Sequence, residues 1–120
     1  MKAYTDVEQS KKLAEILPIE SADMLFQLGE DKYADNIRVP LTKEHWEQMM
    51  PDIIPCWSLA ALLKSLPEGT DLHKAIDKTM ECYYVEVFNN RKYFSTEVLY
   101  DNPIDTCYEI ILKLKENNLL

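Results

Sequence analysis

Cys56, His45 and His73 are the side chains of this sequence that can form a thiolate–imidazole pair. Cysteine catalysis needs such a base beside the thiol, held in turn by a third polar group. The stretch IPCWSLAALLKSLP at 54–67 carries Leu59, Leu62, Leu63 and Leu66 at helical spacing, and Pro55 suits a first turn. That reading puts Cys56 at about the second helical position, where orphan N–H groups and the helix dipole lower a thiol pKa. No spacing rule joins Cys56 to His45 or His73, and no glycine motif flanks it. A buried apolar cysteine is the plainer reading. No catalytic residue is therefore assigned, and Cys56 with His45 or His73 as base stands as the enzymatic alternative.

Other reactive types are equally short of partners. The three cysteines and two histidines show none of the close pairs that zinc sites use, so no metal and no cofactor is expected. Gly29 and Gly69 are the only glycines, too few for a phosphate-cradling loop. Cys107 shares a helical stripe with Ile104 and Ile111 and reads as core. Cys82 alternates with Tyr84 and Glu86, which assigns it to the wetter face of a strand. Asp101 and Asp105 bracket a helix start, and Ser58 and Ser65 read as capping or surface residues.

Charge narrows the partners. A net charge of −8, from 13 basic and 21 acidic residues, disfavours direct binding to a nucleic-acid backbone. The acids are scattered, which fits solubility; an acidic mimic that blocks a nucleic-acid-binding protein is a further alternative. The opening MKAYTDVEQSKKLAEILP has no apolar core of a signal peptide, and no run approaches the roughly 18 apolar residues of a membrane span. An odd, widely spaced set of cysteines points to a reducing cytoplasm.

The elements that hold these side chains follow from local patterns. Thr5 and Glu8 form a capping box that opens a first helix, stopped by Pro18. The short apolar run at 21–28 fits helix or strand equally. Residues 29–41 read as loop, with a short strand at 36–39, and Thr42 begins a brief helix that ends by Pro51. From Asp71 the period becomes two, although 71–77 also fits a helix. Tyr83, Val85 and Val87 share one face; Cys82, Tyr84, Glu86 and Phe88 share the other. Asn89-Asn90-Arg91-Lys92 reads as a hairpin turn, because Asn tolerates positive φ. The return strand turns Phe94, Thr96 and Val98 inward and Tyr93, Ser95 and Glu97 outward. Asn102 as N-cap, Pro103 at N1 and Asp105 in the first turn start the last helix. Trp46 and Trp57 are expected to pack inward, with their indole N–H groups on loop carbonyls. The result is one α+β domain over 1–120, a small antiparallel β-meander (two to three strands, about 71–98) packed against three or four helices.

If Val85 and Val87 face the core, then Tyr84, Phe88 and Tyr93 decorate the outer hairpin face beside Glu86 and Glu97. Aromatic rings ringed by charge are the composition of an interface centre. The competing expectation is that the N-terminal half of the chain covers this face.

The strings AYTDVEQSKKLAEILPIESADM, PCWSLAALLKSLP and YDNPIDTCYEIILKLKENNLL resemble a family of short bacterial proteins found in gut-type bacteria, often encoded near prophage or mobile-element genes. The resemblance covers roughly half of the chain, and no activity is attached to the family. It implies a small, phage-related cytoplasmic accessory protein and assigns no residue a role. The leading expectation is a non-catalytic, acidic interaction module that binds another protein or a second copy of itself, and no membrane.

Overall fold

A computed structural model describes residues 2–28, 33–36, 43–49, 52–96 and 99–120. The fold is α+β, as expected. Its elements run α1 (Val7–Leu13), β1 (Met24–Leu28), β2 (Tyr33–Asn36), α2 (Lys43–Met49), β3 (Ile53–Cys56), α3 (Leu59–Ser65), β4 (Thr70–Asp77), β5 (Met80–Asn89), β6 (Lys92–Ser95) and α4 (Pro103–Glu116), with a short 3₁₀ turn at Ile19–Ser21. The strands make two antiparallel sheets, β2-β1-β3 and β4-β5-β6. The second is the expected meander. The first was not expected.

α1 begins one residue later than the Thr5–Glu8 pattern suggests. Asp6 is the N-cap, accepting from Gln9 N, and the Gln9 side chain returns a bond to Asp6 N. Thr5 is thereby freed for another task. It is fully buried; its N–H donates to Trp57 O at 2.9 Å and its hydroxyl accepts from Trp57 N at 3.1 Å. These bonds lay the N-terminal segment along the end of β3. The 21–28 run resolves as strand β1, which pairs with β2 on one side and with β3 on the other. The short strand lies at Tyr33–Asn36, ahead of the expected 36–39, and residues 37–39 lie outside the described residues.

The main correction falls on the stretch around Cys56. Residues 53–56 form a strand, with Cys56 opposite Met24 and Pro55 opposite Leu25. β3 is an edge strand of its sheet, a place where proline's missing N–H is tolerated. The helix starts at Leu59, capped by Ser58, whose side chain accepts from Ala61 N. Of the leucine stripe, Leu62 and Leu66 are buried, Leu59 is partly buried and Leu63 faces solvent.

The second sheet follows its alternation. Val85 and Val87 of β5 are fully buried, with Leu72 and Phe94 against the same core. α4 covers this inner face with Ile104, Cys107, Ile110, Ile111 and Leu114, all fully buried. The α4 start is as read: the Asn102 side chain accepts from Asp105 N, and Pro103 follows. Removing one such aliphatic side chain, for example Ile111→Ala, costs about 2–5 kcal/mol. Asn90 and Arg91 both have positive φ, 51° and 63°, the geometry of a two-residue hairpin turn that matches sheet twist. Gly69 has φ +88°, and a Cβ there would lie 2.0 Å from the Phe88 carbonyl oxygen, so only glycine fits where β4 meets the end of β5. Trp57 Nε1 bonds to the Ser21 hydroxyl rather than to a carbonyl, and Trp46 is buried as expected.

Candidate functional site

Register decides which side chains share the outer face of β4-β5-β6. Asp71 lies opposite Glu86, His73 opposite Tyr84, Ala75 opposite Cys82 and Asp77 opposite Met80. Across the other ladder Glu86 faces Ser95 and Phe88 faces Tyr93. Residues directly opposite one another point to the same side. Tyr84, Glu86, Phe88 and Tyr93 therefore come together as the alternation implies, and His73 joins them from β4. Glu97 and Val98 lie outside the described residues.

These groups hold one another in place. The His73 and Tyr84 rings stack with centroids 4.7 Å apart and planes 16° from parallel. Glu86 Oε1 lies 3.1 Å from His73 Nε2, and Tyr93 donates its hydroxyl to Glu86 Oε2 at 2.9 Å. The bond to Glu86 raises the Tyr93 phenol above its ordinary pKa. Phe88 is 62% exposed and Tyr93 58% exposed, so no described part of the N-terminal half covers this end of the face. The face is a preorganised aromatic surface with a shared carboxylate at its middle.

The thiol and imidazole candidates do not converge on an open cleft. Cys56 is fully buried in β3, where its thiol donates to the Thr5 carbonyl at 3.4 Å and accepts from the Thr5 hydroxyl at 3.7 Å. It packs with Phe26 and Ile54, beside Tyr4, Val7 and Met24. His45 stands exposed on α2, and His73 belongs to the other sheet. The expected helix-start activation of Cys56 has no helix start to rest on. Cys82 lies on the face it shares with Tyr84 and Glu86, as its alternation implies, but it is buried there rather than wet; its thiol donates to Ala75 O across the ladder. Cys107 is core, and burial pushes its thiol up to about 12. The described residues contain no group of three or more His, Cys, Asp or Glu able to hold a metal ion.

A second concavity, of about 920 Å³, lies between residues 16–23 and α3, with Ile16, Leu17, Ala60 and Ala61 in its walls. Its polar groups are mostly spent internally. Asp23 holds the Ser58 N–H and hydroxyl, Ser21 bridges Trp57 and Pro18 O, and Ser65 donates to Ala61 O. Glu20 and Lys64 remain as its charged lining groups. The sheet face, by contrast, presents both rings and charge outward.

Sequence signals for this site were the period-two alternation and the Asn90-Arg91 turn. The signal missed was His73, since the placement of 71–77 beside β5 depends on pairing across the hairpin. Against protein-family models, curated proteins and solved structures, the chain shows no match. No helix of the described residues is long and apolar enough to cross a membrane.

Proposed function

We propose that this protein is a non-catalytic interaction module whose working surface is the outer face of β4-β5-β6. One observation carries the reading: Phe88 and Tyr93, directly opposite one another, are both more than half exposed. Leaving two rings in water forfeits burial worth about 25 cal/mol per Å² of apolar surface, which a partner would recover. The Glu86 bonds to His73 and Tyr93 lower the ordering cost of docking, because the side chains are held before the partner arrives.

Size sets the strength. Eight, ten and four residues in β4, β5 and β6, at about 3.3 Å each and about 4.8 Å between strands, give a face of roughly 350 Å². A standard interface uses about 800 Å² per partner, so the complex belongs to the weak, transient class unless neighbouring surface joins in. The partner is another protein or a second copy of the chain. A phage-related accessory role in the cytoplasm suits such a module and belongs to the same proposal.

Replacing Tyr84 and Phe88 together by Ser tests it. The expected outcome is loss of self-association by light scattering, or of partner recovery, with an unchanged circular dichroism spectrum. Unchanged mass and unchanged recovery would count against the face.

A further inference from the structure

We infer that the outer sheet face recognises a basic protein segment, through an arginine laid over the Phe88 and Tyr93 rings and forked onto Glu86. This rests on the interaction reading above and names its partner chemistry. The argument is charge segregation by strand register. On the outer face the charged residues are Asp71, Asp77 and Glu86, with His73 as the one basic type. The lysines of the same strands, Lys74 and Lys92, lie opposite Tyr83 and Asn89, on the inner face with Val85 and Val87. Lys74 is there paired with Glu81 at 2.9 Å. One side of a three-stranded sheet is thus acidic and aromatic, while its lysines are on the other.

Rings and carboxylate together select a planar cation. A guanidinium stacks on aromatic faces and bonds a carboxylate through two parallel N–H groups, whereas an ammonium offers a compact point charge. Glu86 has capacity for it: Oε2 accepts one hydrogen bond, from Tyr93, Oε1 lies beside His73 Nε2, and a carboxylate offers about four acceptor sites. The overall charge of −8 steers a basic partner toward the chain. A nucleic-acid backbone would be repelled by the same face.

The test is an NMR titration with a peptide of alternating arginine and threonine, compared with the same peptide carrying citrulline in place of arginine. The arginine peptide is expected to shift the Phe88 and Tyr93 ring resonances and to bind at least about tenfold more tightly than the citrulline peptide. Glu86→Gln should weaken it about three- to tenfold, while Glu81→Gln, on the inner face, should leave it unchanged. Equal binding of the two peptides, or equal effects of the two substitutions, overturns the inference and reduces the effect to general attraction by an acidic chain. If Tyr84→Ser with Phe88→Ser abolishes association while arginine earns no preference, the basic partner falls and the interaction face stands. If that double variant also leaves association unchanged, both fall.

Discussion

Tyr93 reaches diagonally across the β5–β6 ladder and donates a hydrogen bond of 2.9 Å to Glu86. A phenol that donates to a carboxylate gives up its proton less readily, so Tyr93 titrates above its ordinary value near 10. In Glu86→Gln the Tyr93 midpoint, followed by its NMR ring signals, should move down toward that value. Because the bond lies at the surface, where solvent screens it, the same substitution should leave the urea midpoint nearly unchanged. An unmoved midpoint would mean that the bond is not formed in solution.

Thr5 is the clasp of the N-terminal segment. Its hydroxyl accepts from Trp57 N and bonds Ser10 Oγ at 2.7 Å, all of it buried. Thr5→Val keeps the shape and removes the hydroxyl, leaving a buried N–H without an acceptor. The expected cost is about 1–3 kcal/mol, read from the urea midpoint.

All three thiols are buried, so the native protein should resist alkylation at neutral pH. Cys107, pushed up to about 12, should be inert until the chain unfolds. Cys56, with no exposed surface and a thiol bonded to Thr5, should react only on unfolding. Rapid labelling of Cys56 in native buffer would revive the thiol-enzyme alternative.

Lys2 and Asp105 tie the N-terminal segment to the start of α4 at 2.7 Å. Burial raises the Asp105 carboxyl, but hydrogen bonds from Lys2, Asn102 and Gln9 outweigh it and hold the group below its ordinary value. A carboxyl depressed in the folded state stabilises above its unfolded pKa, and that contribution is lost as pH falls through the folded one. Burial lowers Lys2, and bonds to Asp105 and Asp6 more than offset this. Its contribution is present below its unfolded value and lost as pH rises through the folded one. The stability deficit of Asp105→Asn, measured by urea unfolding, should therefore be larger at about pH 6 than at about pH 2. A deficit independent of pH would show that Asp105 acts only as a shape.

Local chemistry made some of this fold legible and hid the rest. The α4 start could be read because Asn102, Pro103 and Asp105 act within one turn, and β5 could be read because buried Val85 and Val87 alternate with the more exposed Glu86 and Phe88. Cys56 was misplaced because Pro55 and the leucine stripe both fit a helix, while the strand depends on β1, about 30 residues earlier in the chain. Thr5 and Asp6 both suit an N-cap, and only the buried contact with Trp57 separates their tasks. His73 joined the aromatic face through its register opposite Tyr84, a long-range fact that no spacing of its own announces.

The face itself is tested most directly by a photoreactive benzoyl-phenylalanine at position 88, irradiated in the source cell, with position 63 on α3 as the exposed control. The account predicts a discrete heavier adduct from position 88, absent from position 63 and lost when Tyr84 and Tyr93 are both changed to Ser. No adduct at 88, or the same adduct from both positions, would contradict it.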